Sequence, residues 1–271
     1  MDILAYAIQK KLLGSGGTGG GGESKPITLQ DKTFTENGTY TADEGFDGLG
    51  VVVVEVGGGG EDEVLDEVTQ NYINFINQDH YPIFPEGMTE IKRNACSNYV
   101  FMYGVTLPSD LISIGESAFN GCSNLVLTSL PDGVTNLGTT AFYKCPKLAL
   151  TSLPNGIKTL AAGTFGYCTN LALTSLPEGL ESIYDDVFTN CINMDIKRLP
   201  SKLSVLANRV FSGCSKMTEI TFNSTPGYLG EYAFANCPNL KTINVPWSEG
   251  VKVGAPWGAT NATVNYNYTE G

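Results

Sequence analysis

The chain has 271 residues, of which 42% are hydrophobic and only 16% are charged, so it is long and apolar enough to bury a core and unlike a disordered protein. Its net charge of −12 argues against nucleic acid and anionic membranes as partners, because both attract basic surfaces. The N-terminal residues have neither the charge order of a signal peptide nor the length of a membrane span, so we expect a protein made in the cytoplasm and not exported by the usual route.

The first predicted element is an amphipathic helix over residues 1–13, because apolar residues recur there at helical spacing. A helix this short is marginal alone in water. It either requires a partner or is a frayed terminus. The candidate docking residues on it are Ile3, Leu4, Ile8 and Leu12.

A small β module is predicted over residues 26–56, between a glycine-rich linker at 14–25 and a second at 57–60. Asn37-Gly38 is a strong hairpin signal, and the valine-rich run 51–56 is typical of a buried strand.

Residues 61–84 are predicted to form a helical cap on the next part of the chain, because acidic residues crowd the start of an amphipathic pattern, where they favour the helix dipole. The acids at 61–67 lack the glycine-turned loop of a calcium site. The single histidine, His80, is interpreted as a surface residue rather than a general base.

Seven copies of a 23-residue repeat occupy residues 85–245, and residues 23 apart form columns of like residues. The phenylalanine column comprises Phe119, Phe142, Phe165, Phe188, Phe211 and Phe234, and the cysteine column comprises Cys122, Cys145, Cys168, Cys191, Cys214 and Cys237. Repeats of this length with spaced leucines predict a leucine-rich solenoid, which is β-rich with short helical turns and whose stacked coils share one core.

Within one coil, the alternating residues Leu148, Leu150 and Leu153 predict a short parallel strand. Pro154 should end that strand, and Asn155-Gly156 should make a turn. The outward side chains on this segment are candidates for binding a polymer or a protein at the surface. The alternative is that they only keep the protein soluble. They are Thr128, Thr151, Thr174 and Lys197.

The seven cysteines are predicted to pack in the core. Their odd number argues against a complete disulfide framework. Side chains in one column also point the same way, although the expected coil spacing is within disulfide range. The chain has no C-x₂₋₄-C pair and one histidine, so we predict no metal site.

Residues 246–271 interrupt the repeat and are predicted to be an aromatic C-terminal cap. The alternative is that its aromatic side chains are exposed and stack on sugar rings. The aromatic residues concerned are Trp247, Trp257, Tyr266 and Tyr268.

No sequence motif of a nucleophile, a zinc protease or a phosphate-binding loop occurs, so we predict no enzyme and no cofactor. Asp185 and Asp186 are the nearest approach to the carboxylate pair of a glycosidase, but adjacent residues rarely face one site.

The repeat pattern, seen in ISIGESAFNGCSNL (112–125) and EYAFANCPNLKTINVP (231–246), resembles the BspA-type leucine-rich repeats. This resemblance covers about 160 residues. It implies a solenoid fold but gives little information about function, because such repeats occur in bacterial surface, phage and protist proteins.

The segments TFTENGTYTADEGFDGLGVVVVEV and APWGATNATVNY resemble parts of tail and other virion-associated proteins of phages of Gram-positive bacteria. That resemblance implies a virion protein in which residues 1–56 dock on other virion proteins and the solenoid projects outward, either for adhesion to a host polysaccharide or protein or as decoration. It also suggests a trimer, by analogy with phage fibres. The alternatives are a bacterial cell-surface adhesin and an interaction scaffold.

Overall fold

The computed structural model describes residues 27–29, 32–34, 84 and 87–269 of the chain. The predicted helix at 1–13, both glycine linkers, the Asn37-Gly38 hairpin, the strand at 51–56 and the helix before Phe84 lie outside the described residues. Inside the predicted β module, β1 (Ile27–Leu29) pairs antiparallel with β2 (Lys32–Phe34).

Residues 87–269 form a solenoid of stacked coils joined by short parallel strands, as the repeat predicts. On one side of the coils lie β3 (Glu90–Ile91), β4 (Ser113–Ile114) and β5 (Asn136–Leu137), then β6 (Thr159–Leu160), β7 (Ser182–Ile183), β9 (Val205–Leu206) and β11 (Tyr228–Leu229). On a second side lie β8 (Arg198–Leu199), β10 (Glu219–Phe222), β12 (Thr242–Asn244) and β13 (Thr263–Asn265). The described part of the chain contains no helix with the length and hydropathy needed to cross a membrane.

The leucine segment of the middle coils is not the strand that its alternation predicts. Leu148, Leu150 and Leu153 are buried as expected, but the strand of that coil is β6, which follows the turn. Two consecutive outward residues, Thr151 and Ser152, break the period of two that a ladder requires. In later coils the equivalent segment does form strands, namely β8, β10 and β12.

The turn after the leucine segment lies where the sequence predicts it. The Ile157 N–H donates a hydrogen bond to the Pro154 carbonyl over 3.3 Å, which closes a turn around Asn155 and Gly156. This turn directs the chain from the leucine segment into β6.

The phenylalanine column forms a continuous stack through the core. Its six rings have no exposed surface, and successive ring centroids lie 5.2 to 5.8 Å apart with nearly parallel planes. Phe84 meets one end of the stack edge-on at 6.3 Å, and Phe222 meets the other end at 6.1 Å. The stack is therefore closed by perpendicular rings at both ends.

The cysteine column is also part of the core, as predicted, and all seven thiols are free and buried. Each thiol of the column donates a hydrogen bond to a backbone carbonyl 26 residues earlier, as Cys168 does to Phe142 over 3.0 Å. Burial raises the pKa of the Cys122 thiol to about 12 and that of Cys237 to about 11. These thiols are structural and poorly nucleophilic, because the thiolate is the reactive form.

The carboxyl-terminal residues extend the stack. β13 pairs in parallel with β12, and the Phe234 N–H donates to the Trp257 carbonyl over 3.0 Å. Thr263 pairs with Thr242, so the step between these strands is 21 residues instead of 23. The sequence columns end here because the register changes, although the stacking continues.

Replacing Phe165 with alanine should lower the free energy of unfolding by about 3–5 kcal/mol, because the change opens a cavity between two stacked rings. Urea unfolding followed by circular dichroism measures this. Phe101→Ala is the control: its side chain is 50% exposed, so the expected change is within about 0.5 kcal/mol. Equal effects of the two changes would contradict the stack as a main source of stability.

The native thiols should resist alkylation at pH 8. Burial raises the pKa of Cys237 to about 11, so this thiol is ionised to about one part in a thousand at that pH, and the sulfur is also inaccessible. Mass spectrometry after iodoacetamide treatment should find unmodified protein under native conditions and seven modified cysteines in urea. Rapid modification of the native chain at any member of the column would contradict the buried position.

Candidate functional site

In the predicted row of outward residues, the three threonines are exposed, whereas the lysine at the fourth position interacts with other residues of the chain. Thr128, Thr151 and Thr174 are all exposed. Lys197 is half-buried, donates to Thr218 Oγ1 over 2.6 Å and lies 3.0 Å from Asp195 Oδ1. The threonines are thus available to a partner, whereas the lysine already has partners within the chain.

The tryptophans of the last coil are buried, as expected of a cap, so the alternative in which they are exposed and bind a ligand is wrong for these two residues. Trp247 is 5% and Trp257 is 2% exposed. Their rings lie 5.1 and 6.1 Å from the Phe222 ring. They cover the end of the core, because the last phenylalanine of the stack would otherwise face solvent. Tyr266 is half-buried and Tyr268 is 36% exposed.

Asp185 and Asp186 each have a partner of their own. The Asn208 N–H donates to Asp185 Oδ1 over 2.8 Å. Arg209 binds both oxygens of Asp186, with Nε donating over 2.8 Å and Nη2 over 2.6 Å. Both carboxylates therefore have partners within the chain and lie on the same wall of one groove, unlike the carboxyl pair of a glycosidase, which flanks the bond that is cleaved. Among the described residues, no group of three or more histidine, cysteine, aspartate or glutamate side chains is placed to hold a metal ion.

An apolar patch lies on the first coils, on the side of the leucine segment. It consists of Val100, Phe101, Tyr103 and Val126, which are 40%, 50%, 47% and 48% exposed. The Val126 N–H donates to the Tyr103 carbonyl over 2.9 Å, so the patch crosses from one coil to the next. Clustered exposed apolar side chains of this kind mark interaction surfaces.

A groove of about 340 Å³ lies at a different side of the stack, where the chain turns after each strand of the first side. It spans three successive coils. One wall includes Thr139, Thr140 and Tyr143, and the other includes Asp185, Asp186 and Thr189. The floor between the walls belongs to the middle coil.

The groove exists because the middle coil carries small residues. Its sequence there, AGTFGY (162–167), places Ala162 and Gly163 where the neighbouring coils have Thr139-Thr140 and Asp185-Asp186. A Cβ at Gly166 would lie 2.9 Å from the Tyr143 ring, so the absence of a side chain lets that ring lean over the middle coil. Catalytic motifs do not indicate this depression; its signal in the sequence is the small residues that stand where the neighbouring coils carry larger ones.

Two tyrosines form the aromatic part of the groove. The rings of Tyr143 and Tyr167 meet edge to face, with centroids 5.4 Å apart. Burial, and after it the neighbouring Tyr167 and Asp186, raise the pKa of the Tyr143 hydroxyl, so this hydroxyl keeps its proton and remains a donor. The groove therefore combines aromatic faces, hydroxyl groups and carboxylates.

Comparisons of this chain with protein-family models and with solved structures identify the type of repeat. The model of the BspA-type leucine-rich repeat region matches in six copies across residues 89–206 and 181–253. A leucine-rich repeat protein from T. pallidum is 28% identical with a TM-score of 0.52, over 59% of this chain and 77% of that protein. A comparison with curated proteins finds no match.

Two other solved structures have lower similarity. A leucine-rich repeat protein from Bacteroides ovatus is 21% identical with a TM-score of 0.45, over 68% of this chain and 60% of that protein. A leucine-rich cell surface protein from Faecalibacterium prausnitzii is 19% identical with a TM-score of 0.46, over 63% of this chain and 64% of that protein. None of the three structures is described as a phage protein, so the predicted resemblance to virion proteins gains no support. The family model covers more than half of the residues, and the chain belongs to the BspA-type leucine-rich repeat family.

Proposed function

We propose that this protein is a non-enzymatic scaffold that binds other macromolecules as an adhesin or interaction protein at a bacterial cell surface. The observation that carries the proposal is the division of roles within each coil. The repeated leucine, phenylalanine and cysteine side chains are buried in one closed core, and the side chains that differ between coils face outward. Leucine-rich solenoids typically serve as binding scaffolds of this kind.

The surface proposed for binding a partner is the apolar patch together with the threonine row beside it. The patch contains a phenylalanine, a tyrosine and two valines, each at least 40% exposed. Aromatic side chains of this type dominate the energy of protein interfaces. The exposed hydroxyls of Thr128, Thr151 and Thr174 continue the same segment along the next coils and suit the polar rim of an interface.

Replacing Val126 with glutamate should weaken binding at least tenfold, because it places a charge within the apolar patch. The full chain, immobilised on beads, is tested against purified extracellular-matrix proteins and bacterial cell-wall preparations. Tyr184→Glu is the matched control: Tyr184 is 47% exposed and follows β7 on a different side of the coil. Absence of binding by the unaltered chain, or equal losses for both variants, would contradict the proposed surface.

The cell-surface location is tested separately by labelling intact cells of the producing strain with an antibody against the solenoid. The resemblance to BspA-type repeats includes bacterial surface proteins, so labelled intact cells are the result expected from the proposal. Label found only on purified phage particles would overturn this location and restore the virion role, in which residues 1–56 dock on the particle.

A further inference from the structure

We propose that the groove between the walls at Thr139–Tyr143 and Asp185–Thr189 is a binding site for one or two rings of a neutral sugar. The site is separate from the apolar patch, because it lies at the turn after the strand rather than on the leucine segment. The inference therefore does not depend on the patch, and the two surfaces are tested with different variants.

The shape of the groove suits a small ligand. Its volume of about 340 Å³ is at the lower end of the range for small-molecule sites. The backbone of the middle coil forms the floor, and it is fixed by hydrogen bonds to both neighbouring coils, such as those from Gly163 N–H to the Asp185 carbonyl and from Phe142 N–H to the Thr164 carbonyl. The site is thus formed before any ligand binds, which lowers the entropic cost of binding.

The aromatic part of the groove suits the apolar side of a sugar ring. Tyr167 is 41% exposed and stands edge to face with Tyr143. A tyrosine offers an apolar face next to a polar hydroxyl. A pyranose has the complementary arrangement of a C–H face edged by hydroxyl groups, so it can contact both parts at once.

The opposite wall provides fixed acceptors for sugar hydroxyls. Asp185 accepts one hydrogen bond, from Asn208 N–H at Oδ1, and Oδ2 has no hydrogen-bond partner within the described residues. Asp186 is held by Arg209, and Thr189 Oγ1 lies 3.0 Å from Asp186 Oδ1. Hydrogen bonds to a carboxylate are stronger than those between neutral groups, and they fix the orientation of a hydroxylated ligand.

The charges around the groove favour a neutral ligand over an ion. Arg209 pairs with Asp186, and the Lys144 ammonium lies 5.4 Å from the centroid of the Tyr143 ring. The formal charges of these two cations and the two carboxylates of the wall sum to zero. A cationic or anionic ligand would therefore gain little net attraction and would still lose its hydration.

The test begins with the full chain on an array of mono-, di- and oligosaccharides from bacterial and animal surfaces, followed by calorimetry with the best-binding sugar. Ala162→Gln should weaken that binding at least tenfold by filling the floor of the groove. The fold accepts longer side chains in this column, where other coils carry Glu116, Asn208 and Glu231. Glu231→Gln introduces the same residue outside the groove and should leave the affinity within twofold.

A second variant tests the acceptor. Asp185→Asn keeps an oxygen for the Asn208 N–H and should weaken sugar binding about tenfold, with an unchanged melting temperature. Val126→Glu should leave sugar binding unchanged, so failure of this site and failure of the apolar patch are distinguishable. Absence of any bound sugar, binding that Ala162→Gln does not weaken, or binding restricted to charged sugars would overturn the proposal.

Discussion

The solenoid depends on one constraint, which is that each coil must match the coils on both sides of it. The Gly115 N–H donates to Ile91 in the preceding coil, and the Phe119 N–H donates to Ala141 in the following coil. Hydrogen bonds of this kind fix the backbone spacing at about 4.8 Å in the bonded regions. A side chain in the core therefore meets the same residue type above and below it, which explains why the phenylalanine rings lie nearly parallel and why every thiol of the cysteine column has an equivalent acceptor.

The spacing of the columns is sufficient to predict the core, because residues 23 apart that must stack on one another are constrained to be similar. The position of the strand in each coil is not predictable in this way, since it depends on local geometry that the column pattern does not contain. Leu148 and Leu150 alternate, but Thr151 and Ser152 both face outward, so Leu153 falls outside the period of two. The resulting segment packs well and bonds to its neighbours without forming a regular ladder there.

The candidate sites are harder to predict, because they arise from differences between coils. Trp247 and Trp257 are compatible in the sequence with either a cap or an exposed aromatic surface. The end of a stack has no following coil to cover it, so large side chains are buried there. The groove depends on the small residues Ala162, Gly163 and Gly166 and on the pairing of Asp186 with Arg209. Such features become visible only when three neighbouring coils are placed side by side.

The groove has walls from two coils that are separated by a single intervening coil. Each coil contacts only its immediate neighbours, so unequal recombination that inserts or removes a whole 23-residue copy preserves the core. An event of this kind between the two walls would change the distance between Tyr143 and Asp185 by one coil spacing, about 4.8 Å, and removal of the middle coil would eliminate the recess. Repeat copy number is thus a genetic variable that can alter the proposed sugar-binding groove in discrete steps while the architecture stays constant.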